Sequence, residues 1–316
     1  MKRFKNILVY VDGRQESSAA LHRAVDLAIL NQGRLRIVGV LQELPRDLRR
    51  LAAAMPLEDL QRMAAEDMRG RLEQLVTPFR EKAPFLELEV LSGRPFIEII
   101  HAVQRSQHDL VMVTEEGTGR LGQMFFGSLN LHLLRKCPCP VWVLKGPKQP
   151  TFTRILAAVD PDASDVVRDG VSSKVMELAV SLTLLEKGEL HVVHAWEFDE
   201  SQIARGWQSH VSEAQLHDWL DQARAAHEQR FQELLSRFDL GIINHHVHLV
   251  RGEAGNAIPQ LAAENQIDLI VMGTVARTGI DGYLMGNTAE TVLQQVNCSV
   301  LTTKPDGFVS PVRPAD

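Results

Sequence analysis

The residues best placed to do chemistry are in a glycine-rich run, GTVARTGIDGYLMGNTAE at residues 273–290, which follows an apolar segment and leads into a helical one. Glycine accepts positive φ and leaves no Cβ between backbone N–H groups and a ligand. The start of the following helix adds unpaired amides and a partial positive charge. Together these suit a phosphate. Asn287 and Thr288 are placed to cap that helix or to donate to a phosphate oxygen. The same residues would equally serve as a structural turn, and the glycines alone leave both readings open. The run is not a Walker A loop, because it lacks Gly-Lys-Ser/Thr, and it does not have the G-x-G-x-x-G spacing after a first strand.

Other constellations carry weaker signals. His191 and His194 lie three apart on a strand, so period-2 geometry sends them to opposite faces. His246 and His248 share a face, but no cysteine or nearby acid completes a metal site there. Cys137 and Cys139 form C-P-C, and a zinc set with His132 or His101 would have to be assembled by folding, so zinc is not the expected cofactor. Asp160-Pro161-Asp162 offers two carboxylates, or a turn and a helix cap. Trp196, Phe198, Ile203 and Trp207 would line a pocket for an apolar group or cover a sheet edge. No nucleophile–base pair stands out. A slow nucleotide hydrolase would need a positioned water and a metal, and nothing here singles out a general base.

The elements that must position these residues come in two copies. NILVYVDG at 6–13 matches RILAAVDP at 154–161, and HDLVMV at 108–113 matches IDLIVM at 267–272. Gly127, Cys139 and Lys145 align with Gly286, Cys298 and Lys304 at one common spacing. That spacing is wider than the one relating the first strands, so the second copy carries insertions, at 161–174 and after Trp196. The predicted domains are 1–147 and 151–308, with the seam in GPKQPT at 146–151. In the first copy, strands are expected at 7–11, 36–41, 85–91, 110–114 and 141–144, and helices at 17–30, 57–79, 96–103 and 129–134. The long helix of the second copy starts at Ser212, with Gln215 completing a capping box, and places Trp219, Phe231, Leu234 and Leu235 on its inner stripe. Alternating strand and helix means parallel strands with right-handed crossovers. Short apolar runs without polar alternation mean strands covered on both faces. The predicted fold is α/β: two Rossmann-like doubly wound domains, each with a five-stranded parallel sheet and flanking helices. Such sheets bind ligands beyond the carboxyl ends of their strands, where strand order reverses.

Composition sets the outer limits. The chain has 316 residues, 45% hydrophobic and 23% charged, an ordinary globular balance that at roughly 100–200 residues per domain favours two domains. The net charge of −6 argues against nucleic acid as a partner. No apolar run approaches the roughly 18 residues that span a bilayer, so no membrane partner is expected. Three cysteines make no disulfide framework, and a reducing cytoplasm is the expected location.

The glycine run, the acid ending the first strand and the segment CPVWVLK at 139–145 resemble the universal stress protein family, whose loop reads G-x2-G-x9-G-(S/T). The resemblance spans nearly the whole chain as two tandem copies. It implies five parallel strands per domain, ATP or AMP as ligand with magnesium as its companion ion, and pairing of last strands. Two fused copies would then be a pseudo-dimer within one chain, open to further homodimerisation. Carried over by position, the second copy offers Gly273 after Met272, then Ala276, Gly286 and Asn287. The first offers Thr114, Gly117, Gly127 and Ser128. Asp12 or Asp160 would meet ribose hydroxyls, and the backbone of Val40 or Ala195 the adenine edge. Ala276 stands where the family has glycine, and Asn287 where it has Ser or Thr. Charge ranks the copies. The first carries Glu115 and Glu116 in its loop, which repel a triphosphate unless a divalent cation bridges them, while the second carries Arg277 and no acid before Asp281. The expected function is a stress-response protein that binds an adenine nucleotide chiefly in its second domain. The alternatives are a scaffold for another phosphorylated or partly apolar metabolite, and a slow ATPase.

Overall fold

In the computed structural model, the described residues are 4–12, 18–42, 56–83, 85–115, 127–145, 152–198, 212–274 and 286–314. They divide into two units. One comprises Met1–Pro150, Ser299–Thr302 and Phe308–Asp316; the other comprises Thr151–Cys298 and Thr303–Gly307.

The first unit runs β1 (Asn6–Tyr10), α1 (Ser18–Asn31), β2 (Arg34–Leu41), α2 (Leu57–Val76), β3 (Leu86–Ser92), α3 (Pro95–Ser106), β4 (Leu110–Thr114), α4 (Ser128–Lys136) and β5 (Val141–Leu144). Its strands lie parallel in the order β3-β2-β1-β4-β5. The last strand of the chain, β10 (Ser299–Thr303), runs antiparallel to β5, with Val300 opposite Val143 and Leu301 opposite Trp142. The second unit runs β6 (Arg154–Ala158), α5 (Val166–Glu186), β7 (Glu189–Trp196), α6 (Glu213–Leu235), β8 (Asn244–Arg251), α7 (Ala254–Glu264), β9 (Leu269–Gly273) and α8 (Asn287–Gln295). Its parallel order is β9-β6-β7-β8. The expected α/β architecture is present, with a mostly parallel sheet. The fifth strand of the second copy, β10, falls mostly within the first unit by contact and runs antiparallel to β5 there.

Central strands are buried without alternation: Ile7, Leu8 and Val9 in β1, and Leu269, Ile270 and Val271 in β9. Edge strands β3 and β8 alternate or stay exposed, as strands with one wet face must. The repeated aspartates have a structural job. Asp109 accepts the N–H groups of Lys5 at 2.6 Å and Asn6 at 3.0 Å, and Asp268 accepts those of Thr153 at 2.8 Å and Arg154 at 3.2 Å. Each carboxylate satisfies amides at the start of its unit's first strand. Gly93 (φ 146°) and Gly252 (φ 144°) turn the chain out of β3 and β8 in a conformation that side chains disfavour.

Two helix expectations need adjusting. The long first-copy helix stops at Val76, followed by a 3-10 turn at Thr77–Phe79 containing Pro78. Its buried residues, Leu72 and Val76, fall in its second half, whereas Met63 is 55% exposed. In α6 the capping box forms, with Ser212 Oγ accepting from Gln215 N–H and Gln215 Oε1 from Ser212 N–H. Phe231, Leu234 and Leu235 are buried as predicted, but Trp219 is exposed, because the packed stripe starts later along the helix. Among the described residues, no helix is long and apolar enough to cross a membrane.

Candidate functional site

Strand order reverses at β1 in the first unit and at β6 in the second. The β1–β2 register ends at Tyr10 opposite Val38, and two residues further it sets Asp12 level with Val40. The β6–β7 register ends at Ala158 opposite Val193, and the same step sets Asp160 level with Ala195. Val38 C=O accepts Val11 N–H at 3.0 Å, and Val193 C=O accepts Val159 N–H at 3.0 Å. Alternate residues of a strand turn their peptide groups to the same side. The peptides of Val40 and Ala195 therefore face the side on which β1 and β6 have ended. Each sequence-predicted pair of an acid and a backbone edge is thus assembled at a switch point.

Past the next strand the two units differ in charge. In the first, Glu115 Oε1 lies 3.3 Å from Lys145 Nζ, with the two side chains 9% and 1% exposed. Burial pushes the Glu115 carboxyl above its ordinary range, and the nearby ammonium opposes that. In the second, the corresponding positions are Thr274 and Lys304, and the buried ammonium of Lys304 donates to Thr274 Oγ1. Met272 is buried, and a Cβ on Gly273 would stand 2.5 Å from Val171 Cγ1, so glycine there reflects packing as well as any ligand.

The helices that follow start alike. Gly127 (φ −56°, ψ 158°) precedes α4 and Gly286 (φ −65°, ψ 143°) precedes α8, and among the described residues no side chain caps either end. Gly286 N–H donates to Thr274 C=O at 3.2 Å, and Glu290 N–H to Gly286 C=O at 3.1 Å. Asn287, Thr288 and Ser128 are all exposed. Gly117, Glu116, Ala276, Arg277 and Asp281 lie outside the described residues. In the first unit a pocket of about 440 Å³ lies between the starts of α3 and α4, lined by Gln42, Arg94, Phe96, Ser128 and His132 among others.

Sequence reasoning missed Arg168. Its guanidinium reaches Asp160 at 3.3 Å and Asp162 at 2.6 Å, so the acid meant for ribose is already charge-paired. Asp162 also accepts Ser164 Oγ–H at 2.6 Å, and Asp165 caps α5 through the amides of Val167 and Arg168. Asp162 therefore makes the turn, while the helix cap falls to Asp165 and not to Asp160 or Asp162. Hydrogen bonds from Ser164 and then Arg168 bring the Asp162 carboxyl down to about 2. A depressed acid contributes stability that is present above its ordinary range and lost as pH falls through about 2. Asp162→Asn is expected to flatten the acid limb of stability. Urea midpoints of the full chain between about pH 5 and pH 2 check this, and identical slopes in variant and parent would refute it.

The universal stress protein family model matches residues 3–145 and again 151–304. The chain belongs to the universal stress protein family. It is 28% identical over 322 residues to universal stress protein E of Photorhabdus laumondii, covering 100% of this chain and 99% of that protein. It is 30% identical over 321 residues to universal stress protein E of Escherichia coli K12, covering 99% and 98%. Among solved structures, a functionally unknown protein, PA1789, from Pseudomonas aeruginosa PAO1 superposes with a TM-score of 0.71 at 24% identity, covering 96% of this chain and 94% of that one.

Outside the switch points, this universal stress protein clusters several histidines in its second unit. His194 is a buried structural imidazole, with Nδ1 3.2 Å from Val159 C=O and Nε2 2.9 Å from His227. Trp196 is buried and stacks on His227, while Ile203 and Trp207 lie outside the described residues. Cys137 and Cys139 are buried 3.6 Å apart, and their mutual contact and burial hold the Cys139 thiol well above its ordinary range. Neither cysteine joins a metal-capable group among the described residues. The group that does form is Glu189, His191 and His246, so the expectation that no acid stands near His246 is corrected. Glu189 shares a face with His191, two residues on. Which strand pairs beside them was not legible in the sequence.

Proposed function

We propose that this universal stress protein binds an adenine nucleotide, ATP or AMP, chiefly in its second unit, as a cytoplasmic stress-response sensor without a strong catalytic constellation. The observation that carries the ranking is the residue after the fourth strand of each copy. It is a carboxylate in the first unit, Glu115, and a hydroxyl held by a buried ammonium in the second, Thr274 with Lys304. The carboxylate offsets the positive charge that Lys145 would offer an anion, whereas the hydroxyl leaves that of Lys304 undiminished. The uncapped start of α8 supplies amides for phosphate, Ala195 a backbone edge for the base, and Asp160 an acceptor for ribose, shared with Arg168.

Calorimetric titration of the full-length protein with ATP tests this, using Gly286→Val and Gly127→Val. The backbone angles of both glycines suit any residue, so neither change strains the local backbone. Gly286→Val is expected to weaken ATP at least about tenfold, roughly 1.4 kcal/mol, and Gly127→Val to leave it unchanged. The reverse result would overturn the ranking. It would favour a second reading that rests on the first-unit pocket, where Phe96 beside Arg94 and Ser128 suits a partly apolar anion.

A further inference from the structure

At the amino-terminal ends of β7 and β8, far along the strands from the switch point, three metal-ligand side chains converge on one face of the second unit's sheet. Glu189 pairs with Asn244 and His191 with His246 in the β7–β8 register, so all four positions are neighbours. One ligand atom from each of Glu189, His191 and His246 lies within 4.8 Å of the others. His191 Nε2 stands 3.6 Å from Glu189 Oε1, and His246 Nε2 stands 3.9 Å from Glu189 Oε2. The two rings lie 4.7 Å apart.

The His191 side chain is only 5% exposed, and among the described residues its Nε2 makes no hydrogen bond of ordinary length but points into this group, 3.6 Å from Glu189 Oε1. A buried ring nitrogen left unpaired is costly unless something coordinates it. Its other nitrogen, Nδ1, faces His248 Nε2 at 3.1 Å. When Nδ1–H donates along that contact, Nε2 carries the lone pair, and this is how an outer partner orients a metal-binding imidazole. Glu189 also accepts Arg154 Nε–H at 3.0 Å and Asn244 Nδ2–H at 3.3 Å. Those donors orient the carboxylate and leave further lone pairs on its oxygens. The His246 side chain is 49% exposed, giving a path from solvent.

We infer that Glu189, His191 and His246 form a binding site for a zinc-class divalent cation, with a fourth position open to water. Two imidazoles and one carboxylate match zinc and its transition-metal neighbours, whereas magnesium and calcium favour all-oxygen sets. Closing the side chains by roughly an ångström brings the ligand atoms to the spacing that bonds of ~2.0–2.1 Å demand. The cation fastens edge strand β8 to β7 and so stabilises the second unit.

The test uses full-length, untagged protein, stripped with chelator and titrated with zinc chloride against a chromophoric competitor. One tight zinc per chain is expected, with a raised thermal midpoint. His246→Ala, at an exposed position, is expected to weaken zinc at least tenfold, as is Glu189→Gln. His245→Ala, whose side chain turns to the opposite face of β8, is expected to leave affinity unchanged. Zinc-edge absorption is expected to fit nitrogen and oxygen neighbours only. Undiminished binding in His246→Ala, absence of binding in the parent, or a sulfur shell pointing to Cys137 and Cys139 would each overturn the assignment.

Discussion

Glu115→Ala is expected to destabilise the first unit by about 3 kcal/mol. The variant removes a carboxylate lying 3.3 Å from an ammonium that is 1% exposed. Two charges taken out of water at the end of the sheet are tolerable together, and far less so when one goes. The pair need not add net stability over an apolar fill. Glu115→Leu combined with Lys145→Met is therefore expected to recover most of the loss, because desolvation of both ions disappears with their attraction. Urea unfolding of the full chain, followed by hydrogen exchange at β4 and β5 amides, reads both results. A single-variant loss below about 1 kcal/mol would place the Glu115–Lys145 pair among solvent-screened contacts. The charge argument that ranks the two nucleotide sites would weaken with it.

Trp142→Ala is expected to cost about 3–5 kcal/mol. Trp142 is fully buried in β5, level with Met112 of β4 on one side and Leu301 of β10 on the other. The Arg23 guanidinium stands 5.3 Å from its ring. Truncation forfeits the buried aromatic area and leaves a cavity that rigid strands on both flanks cannot close. The tail is tied to the same unit through Ser310 Oγ–H to Lys136 C=O at 2.7 Å and Gln104 Nε2–H to Val312 C=O at 3.0 Å. Circular dichroism during urea unfolding measures the change, and amide exchange in β10 is expected to accelerate with it. A cost under about 1 kcal/mol would mean that the neighbours collapse into the space.

What was legible in the sequence follows from local rules. The repeat, the strand–helix alternation, the Ser212 capping box and the acids closing β1 and β6 are written in periodicity and residue type, which depend on near neighbours along the chain. Asp109 and Asp268 were visible as repeat markers, but their task of holding the first strand's amides was not, because that contact spans about a hundred residues.

Long-range pairing decided the rest. Trp219 belongs to an apolar stripe by periodicity and yet is exposed, because among the described residues the packing on α6 falls further along, at Phe231, Leu234 and Leu235. The two glutamates of the first loop look equally repulsive in sequence, and only folding brings Lys145 against Glu115. Arg168 is an ordinary helix-start residue until the turn before it folds Asp160 and Asp162 onto its guanidinium. His246 lacks an acid within its own segment, and parallel pairing of β7 with β8 brings Glu189 to it. Sequence determined which residues could act, since side-chain chemistry and local spacing are properties of the chain. Tertiary structure decided which of them meet, since charge and coordination act through space over a few ångströms.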